Sequence, residues 1–276
     1  MSRKKTVNWV SGIIIVTLAL IFLLPLYIAA INSVKPFEEV LVSPLAMPQD
    51  ITMNNFIRAF TESDMISMYR NSIIITFCSV VLLIFVSSLA AYVIARRPGK
   101  LMKTIYVCSM AGIMVPPIVT LVPSILTLDF LGLLHTRQGL FLFYVGTFFS
   151  TTIFLYVQFI KTISTTMDEA AIIDGAGQFT LFYRVIFPML KPCTATAIIF
   201  LSMWIWNDFM NPLFILGTQR GGMTVTTGVF AAIGARTTYW NLVFANVILA
   251  SLPIVILYLC MQKQFMTGMT QGALKG

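Results

Sequence analysis

Few side chains in this 276-residue chain can do chemistry, and the first is a carboxylate in an apolar setting. Asp208 interrupts an otherwise uncharged run from about Cys193 to Leu216, beside Asn207 and three residues before Asn211. A charge at mid-span costs roughly 2.5–3.5 kcal/mol on insertion scales, so it calls for a partner or a cavity. Two uses fit: a hydrogen-bond anchor pinning a bend at Pro212, or a contact for a polar solute. Trp204, Trp206 and Phe209 offer ring faces suited to sugar rings, and equally to packing near a membrane interface. Trp206, Asn207 and Asp208 are thus a candidate polar site, in a pathway or in the scaffold.

Catalytic constellations are missing. His135 is the single histidine and has no second histidine with which to build a metal site or triad. Cys78, Cys108, Cys193 and Cys260 are too widely spaced for a CxxC pair or a disulfide framework and read as packing residues. No HExxH occurs, and Pro98-Gly99-Lys100 lacks the leading glycine and following Ser/Thr of a nucleotide-cradling loop. The expectation is no catalytic residue, no metal and no cofactor in this chain.

The most informative segment runs from Lys161 to Pro188. Thr166 and Glu169 have the spacing of a capping box, in which hydroxyl and carboxylate satisfy each other's free backbone donors. Asp168 and Glu169 suit the positive end of a helix, and Gly175 is placed to close it in a left-handed cap. The predicted helix has about eight residues and is roughly 12 Å long. Ala170 and Ala171 permit close backbone approach, while Ile172 and Ile173 give an apolar patch for a partner's groove. A passive helix lying on the headgroups is the other reading. A second helical run, Gln178 to Phe187, is expected to stop at Pro188, which lacks the N–H donor.

The elements that position these residues follow from composition. The chain is 58% apolar and 10% charged, with a mean hydropathy of +0.89, which excludes a water-soluble globular domain. Six apolar stretches predict spans at about 12–33, 71–95, 104–127, 139–160, 193–216 and 241–262 of one transmembrane domain covering 1–276. The fold class is all-α integral membrane. An external loop, 34–70, carries a short helix around Met53 to Phe60, and a second external stretch, Gly217 to Arg236, is a re-entrant or interfacial element. The segment 161–192 and the tail 263–276 lie inside. On this topology the inside holds twelve lysines and arginines against three acids, and the outside six against six. Both termini are therefore expected in the cytoplasm, and the net charge of +8 is a topology signal rather than a nucleic-acid patch.

Glu169-Ala170-Ala171, then Gly175, Ile186 and Pro188, closely resembles the EAA motif of permease subunits of bacterial ABC importers. Asp174-Gly175-Ala176, Trp206-Asn207-Asp208-Phe209 with Pro212, and the tail with Gly268, Gly272, Lys275 and Gly276 sharpen the resemblance to carbohydrate-type importers. The resemblance covers essentially the whole chain. It implies a six-transmembrane-helix type I ABC importer permease, similar to the shorter partner in the heterodimeric pair of the maltose-importer type. By that resemblance Glu169, Ala170, Ala171, Asp174, Gly175 and Pro188 belong to a cytoplasmic coupling helix and loop facing an ATPase, and Gly268, Gly272 and Lys275 to a tail that also reaches it. The implied partners are a second permease subunit, two ATP-binding subunits that carry ATP and magnesium, an extracytoplasmic solute-binding protein, a carbohydrate solute and the lipid bilayer of a bacterial inner membrane. Lys161 and Phe187 depart from the family's usual proline and leucine. An ion-coupled secondary transporter and an ABC importer for a non-sugar solute remain as alternatives.

Overall fold

A computed structural model of the chain describes residues 2–219, 221–233 and 238–273, with side chains described for 9–219, 221–233 and 238–262. Among the described residues all regular structure is helical. In chain order the helices are α1 (Ser2–Ser33), α2 (Phe37–Val42), α3 (Asn54–Thr61), α4 (Met65–Arg96), α5 (Lys100–Ile113), α6 (Pro117–Phe130), α7 (Arg137–Ile160), α8 (Thr166–Ile173), α9 (Gln178–Thr180), α10 (Phe187–Met189), α11 (Lys191–Asn207), α12 (Met210–Ile215), α13 (Val225–Ala231) and α14 (Trp240–Ala273). A wider, π-helical turn, Leu181–Ile186, joins α9 to α10.

Among the described residues four helices are long and apolar enough to cross a membrane unbroken: Trp9–Ser33, Met65–Arg96, Arg137–Ile160 and Trp240–Gln262. Two further candidate spans are broken. The third apolar stretch, read from sequence as one helix over 104–127, is α5 followed by α6 at 103°. Pro116 and Pro117 explain the break, because neither has an N–H to extend the ladder and each disfavours helical backbone in the residue before it. Each half has 14 residues, about 21 Å, which is short of the roughly 30 Å of a hydrocarbon core. Likewise Gln178–Met189 and Lys191–Asn207 meet at 73°. The fifth predicted span, 193–216, does not run through to Leu216: α11 ends at Asn207, and Asp208 is extended, with φ −68° and ψ 132°.

The chain divides into two compact units. In the first, Met1–Ile66 with Gly228–Leu252, residues 34–64 form a packed structure built on buried polar groups; the loop expected over 34–70 ends earlier, because α4 begins at Met65. The Lys35 ammonium is fully buried and donates to the carbonyls of Ser43 (2.7 Å) and Ala46 (2.6 Å). Asn55 donates to the carbonyls of Ser33 and Lys35 and accepts from Asn241 at 2.7 Å, so α3 ties the end of α1 to the start of α14. The short helix expected around Met53 to Phe60 is α3. Its Arg58 forms a two-pronged pair with Glu62 (2.8 and 3.0 Å), which holds the Glu62 carboxyl below the usual range.

The second unit, Ser67–Thr227 with Pro253–Gly276, contains two apolar cores. One gathers Leu83, Leu140, Tyr144, Leu201 and Ile215; the other gathers Ile153, Tyr156, Ile160, Phe182, Ile186 and Leu190. Thr136 caps α7 by accepting from the Gly139 N–H at 3.0 Å. Gly139 is required there, because a Cβ would collide with the Leu133 carbonyl oxygen. Asn71 donates to the carbonyls of Gly221 and Met223, and Ser72 accepts from Val225 N, so the chain leading into α13 is fastened to α4.

Candidate functional site

The helix α8 is a separate, doubly anchored element. Its C-terminus closes as a complete Schellman motif: Ala176 N bonds Ala171 O (2.9 Å), Gly175 N bonds Ile172 O (2.9 Å), and Gly175 has φ +81°. Its N-terminus departs from the expected capping box. Thr166 is the first helical residue rather than the cap, and its hydroxyl is engaged with Ser164 Oγ at 2.8 Å. Ser164 also accepts from Thr166 N at 3.3 Å, so the serine two residues upstream satisfies the donor that the box reading assigned elsewhere.

The inner face of α8 is held by charge. Asp168, 8% exposed, forms an ion pair with Arg96 at the end of α4 (Nη2 to Oδ2, 2.9 Å) and accepts from the Tyr92 hydroxyl at 3.2 Å. Arg96 also donates to the Ile163 carbonyl at 3.1 Å, just ahead of α8. Ala171 and Ala176 pack on the core of Tyr156, Ile160, Phe182 and Ile186. The Tyr156 hydroxyl donates to Thr194 at 3.0 Å, which braces α7 against α11 beneath this core.

The outer face of α8 is open. Glu169, Ala170, Asp174 and Gly175 are exposed, as are Met167, Ile172 and Ile173, the last at 84%. The structure thus brings together Glu169, Ala170, Ala171, Asp174 and Gly175 on one short element. Pro188 is a correction: it does not stop the second helical run, which continues through α10 to Met189. The run widens to π pairing just before Pro188, with Phe187 N bonded to Phe182 O, so the proline's missing donor falls where the ladder is already open. Gly268 and Gly272 fall on the part of α14 whose side chains are not described, and Lys275 lies outside the described residues.

Asp208 sits at the break between α11 and α12. Its carboxylate accepts from the Tyr144 hydroxyl (2.9 Å) and from Asn211 Nδ2 (2.6 Å) and N (3.4 Å). Its own carbonyl, four residues before Pro212, has no helical N–H to meet, and the Thr226 hydroxyl takes that place at 2.7 Å. The bend that sequence placed at Pro212 therefore lies at Asp208, with Pro212 already inside α12. A cavity of about 590 Å³ opens beside it, lined among others by Thr147, Trp204, Asn207 and Asn211. Trp204 is 57% exposed. Trp206, paired with Asn207 and Asp208 in the sequence reading, is 7% exposed and faces the protein interior, because α11 turns it away from its exposed neighbours. His135 lies in a loop with φ +59° and its backbone N–H donates to the Ile215 carbonyl at 2.8 Å; among the described residues no His/Cys/Asp/Glu cluster is disposed to hold a metal.

Residues 83–271, which contain α8, the Asp208 break and the C-terminal part of α4, match the family of binding-protein-dependent transport system inner membrane components. The chain belongs to this family. Its relatives include the melibiose/raffinose/stachyose import permease protein of Bacillus subtilis, 35% identical over 92% of this chain and 91% of the relative. The multiple sugar-binding transport system permease protein of Streptococcus mutans is 33% identical over the full length of both. A probable starch degradation products transport system permease of Thermoanaerobacterium thermosulfurigenes is 32% identical over 94% of each. Among solved structures, a bacterial ABC transporter involved in import of the acidic polysaccharide alginate superposes with a TM-score of 0.85, covering 95% of this chain and 97% of that one at 20% identity. The fold is therefore that of an ABC importer permease, with its broken third and fifth candidate spans. The Arg96–Asp168 pair escaped the sequence reading: its partners are far apart in the chain, and Arg96 counted only as one of several basic residues at a span end.

Proposed function

We propose that this chain is the permease subunit of an ATP-driven importer for a sugar or oligosaccharide, working as half of a heterodimer with a second permease. In this reading two ATP-binding subunits dock on α8, an extracytoplasmic binding protein delivers the solute, and both termini lie in the cytoplasm. The observation that carries the proposal is the construction of α8. Its inner face is locked to α4 by Asp168 and Arg96 and to the α7–α11 pair by packing, whereas Glu169, Ile172 and Ile173 are exposed, with none of the described residues covering them. Movement of a partner against the outer face is then delivered to three long helices at once. Sugar as solute is supported by the relatives, whose names specify melibiose, raffinose and stachyose, multiple sugars, and starch degradation products. The cavity beside Asp208, with Trp204 as a ring platform and Asn207 and Asn211 as hydrogen-bonding groups, is the candidate pathway segment.

The test is uptake of labelled raffinose by proteoliposomes holding this chain with its co-expressed partners. Uptake that needs internal ATP, and that Glu169→Ala abolishes, is the expected result. Raffinose uptake driven by an ion gradient in the absence of ATP overturns the proposal in favour of a secondary transporter.

A further inference from the structure

On the same side of the second unit as α8, the end of α4, the start of α5 and the end of α7 enclose a cleft of about 490 Å³. Arg96, Arg97, Lys103 and Lys161 line it, and no acidic residue does. Arg96 is already paired with Asp168. Two of the other three are held in place without being neutralised: Arg97 donates to the neutral Gln178 amide at 3.3 Å, and Lys161 lies 5.2 Å from the centre of the Tyr106 ring. Among the described residues, no carboxylate is ion-paired with Arg97, Lys103 or Lys161. The Tyr106 hydroxyl, also in the cleft, accepts from Gln158 at 3.0 Å, which leaves its proton to donate. Gly99, the residue that precedes α5 as its N-cap, provides no side-chain cap, so the first free amides of this 14-residue helix add to the positive potential.

We infer that this cleft binds the phosphate of an anionic phospholipid headgroup. Its chemistry, three uncompensated cations with hydroxyl and amide donors, is that of a phosphodiester site. Its position selects a lipid over free phosphate. The cleft lies where three membrane-spanning elements end, and α5 leads away from it with no buried residue, exposing Leu101, Ile105 and Val107. A headgroup in the cleft can therefore lay its acyl chains along an apolar helix surface. A bound lipid would also supply the charge that keeps Arg97 and Lys161 from repelling one another at the root of the α8 loop.

The test uses the full chain purified in mild detergent, with dioleoylphosphatidylglycerol, dioleoylphosphatidylcholine and inorganic phosphate as probes in native mass spectrometry. One phosphatidylglycerol is expected to be retained in preference to phosphatidylcholine, and phosphate is expected neither to be retained nor to displace it. Replacing Arg97, Lys103 and Lys161 together by Gln should weaken retention by about a hundredfold, near fivefold per charge. The charge-preserving set R97K, K103R and K161R should retain the lipid. Equal retention of both lipids, undiminished retention by the neutralised variant, or displacement by phosphate alone would each overturn the inference. A photoactivatable phosphatidylglycerol on the unaltered chain gives a reading independent of how the variants fold: label within residues 94–107 or at Lys161 is expected, and label confined elsewhere overturns the assignment.

Discussion

Removing Arg96 while leaving Asp168 should strand a buried carboxylate. Both side chains are about one-eighth exposed, 13% and 12%, so water screens the pair weakly. Breaking a fully buried pair by deleting one partner costs roughly 3–5 kcal/mol; here the Tyr92 hydroxyl still reaches Asp168, which places the expected cost of Arg96→Met at about 2–3 kcal/mol. Asp168→Asn should cost less, about 1–2 kcal/mol, because Arg96 keeps the Ile163 carbonyl. The double variant Arg96→Met/Asp168→Asn removes both charges and should be less destabilised than the sum of the singles by at least about 1.5 kcal/mol. The assay is thermal unfolding of the four proteins in one detergent, followed by tryptophan fluorescence. Single-variant effects that add to within about 0.5 kcal/mol would refute the reasoning, since residues in contact must couple.

Other outcomes follow from the same geometry. Gly175→Val forces a β-branched residue to φ +81°, at a cost above the roughly 1–2 kcal/mol of an ordinary residue in the left-handed region, and should abolish ATP-dependent uptake; Gly175→Asn should retain part of it. Asp208→Ala leaves the Tyr144 hydroxyl and the Asn211 amide without their acceptor and should destabilise the chain by about 2–3 kcal/mol in the same melts, with Asp208→Asn milder. Lys35→Ala opens a void and deprives two carbonyls of their donor, an effect of roughly 2 kcal/mol, so proteolysis of the 34–64 segment should accelerate about thirtyfold. Gly139→Ala places a methyl against the Leu133 carbonyl and should lower the melting temperature even though alanine favours helices, as the same unfolding scan would report.

What could be read from the residues divides along physical lines. Unbroken apolar length marks α1, α4, α7 and α14 directly, because the bilayer sets a minimum run that little else requires. The Gly175 cap was legible because only certain residues accept a left-handed backbone. Breaks were harder: Pro116-Pro117 signals a kink but not one of 103°, and Pro212 acts one turn earlier, on the Asp208 carbonyl. The Thr166 capping box misled because Ser164 competes for the same donors at a shorter chain separation. Most hidden was the mooring of α8. Arg96 and Asp168 are 72 positions apart, and no local pattern distinguishes an arginine paired with an acid from one facing headgroups.

Cross-linking tests whether α8 is the handle by which an ATP-binding partner moves the permease. A cysteine at Ile173, at the exposed end of α8, in the assembled complex with the native cysteines replaced, is expected to form a nucleotide-dependent cross-link to an ATP-binding subunit, and Arg96→Met should weaken the coupling of ATP hydrolysis to uptake without removing that cross-link. Isolation of the chain with no ATP-binding subunit, or an Ile173 cysteine that reacts only with lipid-borne reagents in the fully active transporter, would contradict the account.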